Sequence, residues 1–291
     1  MANNGKIVAG KKKILIVADA GVDTGFAMVT HNIIDQLYKQ YELHVLAINY
    51  RGDPHPLQQK CSMYVPNAYQ SGDYYGATRI EGLVERIKPD ILFFINDAWC
   101  LSNYTPALSK IPDTIRKIAY IPVDATGLKP IYIKPLNNFD HIVAYTAFGE
   151  RELRNGGLTK PVTVIPHGVN TKYFKRIEKK DARAMSHLAD DLFIVLNVNR
   201  NATRKRIDLT FDAFATWCML TNKPDNVRLY YHGAVNDEGW DLLQLAAQLG
   251  IENRIILTHP NLDPAHGIDI EYMHYIYNVA DVQISTSMGE G

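Results

Sequence analysis

Short, unbroken apolar runs alternate with segments of helical period along most of the chain, the pattern of βαβ units around a parallel sheet. The first run, Ile14 to Ala18, is apolar at every position, as a strand buried on both faces requires. A turn from Asp19 to Gly25 follows. A helix is expected next, with Phe26, Val29, Ile33, Ile34 and Leu37 recurring at helical spacing. Leu43 to Ile48 reads as the second strand, and a short strand near Met63 to Val65 precedes a helix expected around Tyr74 to Ile87. Lys88-Pro89-Asp90 breaks the chain before the strand Ile91 to Ile95. Further strands are expected at Lys117 to Ile121, His141 to Tyr145 and Val162 to Ile165.

From Phe174 to Asp191 the pattern changes to a charge-rich stretch poor in strand formers, so a domain junction is placed just before it. The alternation then restarts. Strands are expected at Phe193 to Val198, Val227 to Tyr231, Arg254 to Leu257 and Val282 to Ser285. Helices are expected at Ile207 to Leu220, with Ile207, Phe211, Phe214 and Cys218 on one face, at Trp240 to Leu249 and at Ile270 to Val279. The reading is an α/β protein of two Rossmann-like domains, 1–172 and 173–291. In such sheets ligands bind beyond the carboxyl ends of the strands, so the loops after strands are the places to look for chemistry.

Composition narrows the classes. The 291 residues are 46% hydrophobic and 21% charged, ordinary for a globular chain, and the length suits two domains. Lysine plus arginine total 31 and aspartate plus glutamate total 31, which argues against a dedicated nucleic-acid binder. Cys61, Cys100 and Cys218 form no Cys-x-x-Cys pair, and no apolar stretch has the length of a signal or a membrane span. A cytoplasmic location is the expectation, and the sequons at Asn103 and Asn201 then carry no glycan.

Four segments could carry chemistry. Gly21-Val-Asp-Thr-Gly25 follows the first strand, where glycines let a ligand approach backbone N–H groups; the same residues suit a plain strand-to-helix turn. Neither a Gly-x-Gly-x-x-Gly fingerprint nor a Gly-x-x-x-x-Gly-Lys-Ser/Thr loop occurs, which leaves a nicotinamide-dependent oxidoreductase unsupported. Asn199 to Arg206 crowds Arg200, Arg204, Lys205 and Arg206 into one loop after a strand, a pattern that suits phosphate or a solvated basic patch. Ser285 to Gly291 places hydroxyls and glycines around the Glu290 carboxylate. Asp124 follows the strand ending at Ile121, where an acid could accept a hydroxyl proton or cap the next segment. Asp97 is a weaker candidate of the same kind.

In this order the motifs resemble family 4 glycosyltransferases, which have the two-domain GT-B fold. Val164-Ile-Pro-His-Gly-Val-Asn-Thr171 with Phe174 is similar to the family's interdomain segment, and Arg200 with Lys205 to its R-x4-K donor-phosphate pair. Tyr145-Thr146 with Gly156-Gly157, Tyr231-His-Gly233, Leu249-Gly250 and Ala280 to Ser285, ending in Ser287-Met-Gly-Glu-Gly291, complete the likeness.

The resemblance implies transfer of a sugar from a nucleotide-diphospho-sugar to an acceptor hydroxyl, with retention at the anomeric carbon, in the cleft between the domains. It implies no metal and no cofactor beyond the donor itself. The acceptor would be a glycan, a lipid-linked group or a small molecule, which allows peripheral membrane contact. Arg200 and Lys205 would neutralise the leaving diphosphate, and Gly21 and Gly25 would sit where the first-domain loop approaches donor or acceptor. Glu290, Gly289 and Gly291 would contact the donor sugar, and His259 and Pro260 would border the nucleobase. Asp124 lies near the position at which many members place a catalytic-site His or Asp.

Two departures are visible. Arg206 stands where the family has glycine, adding charge beside the phosphate pair. The second glutamate of the family's Glu-x7-Glu motif would fall beyond Gly291, and the family has two more strands and a C-terminal helix. The second domain is therefore expected to be C-terminally truncated, with Val282 to Ser285 an exposed edge. The alternative to a transferase is a non-catalytic sugar-, nucleotide- or partner-binding remnant of this fold.

Overall fold

The computed structural model describes residues 10–22, 24–66, 72–222, 225–259 and 268–290. They form two compact units, one ending at His167 and the other beginning at Gly168. The first holds strands β1 (Lys13–Asp19), β2 (Glu42–Ile48), β3 (Ser62–Tyr64), β4 (Ile91–Ile95), β5 (Arg116–Ile121), β6 (His141–Ala144) and β7 (Val162–Val164). They form one sheet in the order β3-β2-β1-β4-β5-β6-β7, parallel throughout. The unbroken apolar runs have a direct cause. Leu15 and Val17 pack on one face with Leu46, Leu92, Phe94 and Ile121, while Ile14, Ile16 and Ala18 pack on the other with Val45, Ala47 and Ile95. Both faces are covered, so both alternating sets must be apolar.

The helix Gly25–Leu37 starts where the Thr24 hydroxyl accepts the Ala27 N–H, and it buries Ala27, Thr30 and Ile34 against the sheet. The helix expected from Tyr74 begins only at Ile80. Gly76 sits in the left-handed region at φ 71°, and the Asp73 carboxylate takes the N–H groups of Ala77 and Thr78 at 3.0 and 2.7 Å, which ends the preceding segment in a turn. Single-turn helices at Ala98–Leu101, Thr105–Leu108 and Pro130–Ile133 are too short to show a period, and the helix Ala147–Asn155 is capped by Thr146. The division at His167 precedes the 172/173 boundary read from composition. Ile165 still donates its N–H to Ala144, and the His167 ring packs 4.0 Å from Tyr145, whereas the change to a charge-rich sequence comes later.

The second unit holds β8 (Phe193–Val198), β9 (Val227–His232), β10 (Ile255–Leu257) and β11 (Val282–Gln283), parallel in the order β10-β9-β8-β11. The helix Ile207–Leu220 buries Ile207, Phe211, Phe214 and Cys218, the face expected from their spacing. The helix expected from Trp240 starts at Leu242, because Asp241 caps it through the Gln244 N–H at 3.0 Å. Within the charge-rich stretch a helix forms at Lys179–Met185, where Arg183 is buried and donates to the Val279 and Asp190 carbonyls and to Asp281. β11 is two residues long and exposed, at the edge of the described sheet. Cys61, Cys100 and Cys218 are buried free thiols. Among the described residues no helix is long and apolar enough to cross a membrane, and no group of three or more acidic, histidine or cysteine side chains converges to hold a metal ion.

In each sheet the direction of winding reverses beside the first strand, between β1 and β4 and between β8 and β11. The loops after those strands flank the two places where an open α/β sheet forms a crevice for a ligand.

Candidate functional site

The loops after β8 and β11 are bonded to one another. Met288 donates its N–H to the Arg204 carbonyl at 2.9 Å, and the Arg204 guanidinium donates to the Gly289 carbonyl at 3.0 Å. The Thr286 hydroxyl lies 3.1 and 2.7 Å from the Lys205 and Arg206 carbonyls and 2.8 Å from the Thr210 hydroxyl, which accepts from buried Asn197. Two loops far apart in sequence are thus welded at the switch point of the second sheet.

This geometry brings Lys205 and Glu290 together. Lys205 is largely buried, and its ammonium hydrogen-bonds the Glu290 carboxylate. Burial pushes the Glu290 carboxyl up, but hydrogen bonds from Lys205 and Ser287 and the charges of Lys205 and Arg204 outweigh it and hold the group below its ordinary value. Gly289 contributes its carbonyl to Arg204, and Gly291 lies outside the described residues.

Arg200 is half-exposed and turned toward the loop after β9. It donates to Asp237 through Nε at 2.7 Å and Nη2 at 2.9 Å, and to Glu238 through Nη2 at 2.9 Å. The Arg200 hydrogen bond is the main reason the Asp237 carboxyl lies below its ordinary value. The basic loop is laced with acids: Arg206 pairs with Asp208 at 2.8 Å, and the exposed Arg204 lies 4.0 Å from Glu290. Arg206 adopts φ 49°, the left-handed backbone that favours glycine. Its guanidinium is held by Asp208 rather than added to the Arg200–Lys205 pair. Asn201 is wholly buried, donating to the Val235 and Trp240 carbonyls, which leaves its sequon no room for a glycan.

His259 is exposed at the carboxyl end of β10, two strands from the Arg200 loop, and Pro260 lies outside the described residues. Between them in the sheet, at the end of β9, stands His232, which sequence reasoning missed. Burial lowers its basicity, and its Nδ1 lies 2.7 Å from the Thr258 hydroxyl.

In the first unit, Gly21 closes the turn after β1. Its N–H donates to the Ile48 carbonyl at 3.3 Å, and a Cβ there would lie 2.4 Å from the Tyr50 nitrogen, so packing dictates glycine. Gly25 opens the helix, with nothing within 4 Å of a Cβ. Asp23, between them, lies outside the described residues. The buried acid at this turn is Asp19, which ends a buried strand as the sequence signal for Asp124 would have it. Burial raises the Asp19 carboxyl, against hydrogen bonds from Thr24 and Asn49 and the charge of His31. Asp124 is exposed beyond β5 and makes no hydrogen bond or ion pair with a described side chain; Lys129, not Asp124, stands at the N-cap of the next helix. Asp97 precedes the helical turn Ala98–Leu101 without a side-chain capping bond.

No protein-family model matches the chain. It is 31% identical over 160 residues to a D-inositol 3-phosphate glycosyltransferase of Geodermatophilus obscurus, covering 52% of this chain and 34% of that protein. The chain thus spans about a third of the curated relative it matches. Among solved structures, it is similar to sucrose-phosphate synthase from Thermosynechococcus elongatus, with a TM-score of 0.74, 16% identity, and coverage of 96% of this chain and 76% of that one. It is also similar to Anabaena HepE in complex with UDP and glucose, at a TM-score of 0.67, 16% identity, and coverage of 95% and 74%. At such identities the likeness is one of fold: the chain has the α/β architecture of GT-B glycosyltransferases.

Proposed function

We propose that the chain is the donor-binding and acceptor-side part of a retaining, metal-independent glycosyltransferase of the family 4 kind, which moves a sugar from a nucleotide-diphospho-sugar to an acceptor hydroxyl. The observation that carries this reading is the pair Arg200 and Lys205 on the loop after β8, with Glu290 brought to Lys205 by the loop after β11. The name of the curated relative and the UDP and glucose of the HepE structure support it.

The chemistry follows from charge. As the glycosidic bond to the diphosphate breaks, negative charge builds on the leaving phosphate, and fixed cations stabilise it most where water is excluded. Lys205, nearly buried, supplies a point charge, and Arg200 supplies a directed N–H edge. Glu290 takes the donor-sugar hydroxyls, His259 and Pro260 border the base, and Gly25 leaves backbone open beside the first-unit turn. Asp124 belongs to the acceptor side, as the group that receives or orients the acceptor hydroxyl.

The double variant Arg200→Ala/Lys205→Ala is expected to abolish nucleotide-sugar turnover, followed by mass-spectrometric detection of released nucleoside diphosphate. Unchanged release would sink the assignment. One observation favours a second reading, a binding module without catalysis: the phosphate cations are built into a bonded network, whereas Asp124 has no described partner to orient it. That reading expects a thermal shift with nucleoside diphosphates and no donor hydrolysis.

A further inference from the structure

Arg200 is not a loosely tethered surface cation. Its Nε and Nη2 donate to the two oxygens of Asp237 in a parallel fork, and Nη1 carries no hydrogen bond among the described residues. The two carboxylates around it differ. The Asp237 side chain is 4% exposed and also accepts the Glu238 N–H at 2.8 Å, whereas the Glu238 side chain is 69% exposed. The loop carrying Asp237 is itself pinned on both sides of Arg200. Tyr231 donates its hydroxyl to the Asn199 carbonyl at 2.9 Å, Asn201 donates to Val235 and Trp240, and Trp240 and Gly239 donate their N–H groups back to Asn201 at 3.1 and 2.9 Å.

We infer that Asp237 is a positioning residue for donor binding: it fixes the guanidinium of Arg200 by one edge and leaves the Nη1 edge to take a diphosphate oxygen. The inference rests on the nucleotide-sugar reading above. An unrestrained arginine side chain loses rotamer freedom when it binds, and a fork formed beforehand removes that loss from the binding step. Asp237 does this without competing, because its bonds use Nε and Nη2. Glu238, exposed and sharing Nη2, is the carboxylate that an incoming phosphate can displace. Sequence position alone hides this role, since Asp237 lies on the loop after the neighbouring strand.

Calorimetric titration of the full chain with UDP, ADP and GDP, and with the matching nucleosides, tests it. Asp237→Asn is expected to weaken binding of the preferred diphosphate about tenfold, the scale of one charge-assisted hydrogen bond, and to leave the nucleoside within about twofold. Glu238→Gln is expected to bind the diphosphate as well as the unaltered chain or better. A variant damaged in its fold would lose nucleoside and diphosphate alike, and in that case the unaltered protein decides. The Arg200 Nε–H resonance is expected to show restricted guanidinium rotation before ligand is added and to keep it at saturation. Asp237→Asn binding the diphosphate as tightly as the unaltered chain, or free rotation of Arg200, overturns the inference. If the unaltered chain binds no nucleoside diphosphate, the functional reading itself fails and takes this inference with it.

Discussion

Gly21 and Gly25 look equivalent in sequence, two glycines bracketing one turn, yet the structure separates them. A methyl group at Gly21 would meet the Tyr50 nitrogen at 2.4 Å and the Asn49 carbonyl carbon at 2.6 Å, backbone atoms that cannot rotate away. Gly21→Ala is therefore expected to cost about 2 kcal/mol or more of stability by strain of the β1–β2 connection, measured by urea denaturation. At Gly25 a Cβ meets nothing within 4 Å, and the residue begins a helix, where alanine is the better former. Gly25→Ala should leave stability unchanged or raise it by up to about 1 kcal/mol. Turnover is then the informative readout at Gly25: a loss without a change in stability marks contact with a ligand. A destabilised Gly25→Ala, or a stable Gly21→Ala, would contradict the packing described.

At the scale of elements, Asp281 joins three parts of the second unit. It accepts from Lys179 at 2.5 Å, from the nearly buried Arg183 at 2.8 Å and from the Ile194 N–H at 2.7 Å, tying the helix Lys179–Met185 and the start of β8 to the approach to β11. Burial pushes its carboxyl up, but the Lys179 and Ile194 hydrogen bonds and the charges of Arg183 and Lys179 leave it below the ordinary aspartate value. A folded value below the unfolded one means that the stabilisation is complete above the unfolded value and drains away as the pH falls through the folded one. Acid titration of stability should show a loss beginning under about pH 4, the unfolded aspartate range, and Asp281→Asn should make that loss smaller by the share of this one carboxylate, the remainder belonging to other depressed carboxyls such as Asp237 and Glu290. At neutral pH that variant is expected to cost about 3 kcal/mol, because the Arg183 charge stays buried without its partner. A flat acid limb in the unaltered chain would refute it. The same element shows what a sequence can and cannot disclose. The strands and the helices Gly25–Leu37 and Ile207–Leu220 were legible because burial on two faces, or along one stripe, writes itself as apolar period. The helix Lys179–Met185 was not, since what it buries is Ala182 and Arg183, and Arg183 is tolerable inside because Asp281 and the Val279 carbonyl arrive from far along the chain, with the Asp190 carbonyl beside them. The candidate site divides in the same way. Arg200 and Lys205 stand out as a charge run in one loop, while Asp237, Asp19 and His232 gain their meaning from neighbours in space.

At the scale of the molecule, each unit has its own hydrophobic layers. Leu15, Phe94 and Ile121 on one face of the first sheet and Ile16, Val45 and Ile95 on the other belong to residues before His167. Phe211, Leu229 and Tyr231, and Ile194, Leu196 and Ile276, form the two layers of the second. A core complete within a unit is the condition for that unit to melt cooperatively, so calorimetry is expected to resolve two transitions. Arg200, Lys205, Glu290 and Asp237 all lie in the second unit, which makes the two transitions unequal toward a nucleotide. A ligand that binds the folded form alone stabilises it by RT ln(1 + [L]/Kd), about 2.7 kcal/mol at a hundredfold excess over Kd. A nucleoside diphosphate should therefore raise the melting temperature of the second unit by several degrees and leave that of the first in place. Tryptophan fluorescence identifies which is which, because Trp217 and Trp240 report the second unit and Trp99 the first. Arg200→Ala/Lys205→Ala should erase the shift while keeping both transitions. Were the Trp99 transition the one to move, the phosphate site would belong to the turn at Gly21 and Gly25, and the assignment of Arg200 and Lys205 would have to be abandoned.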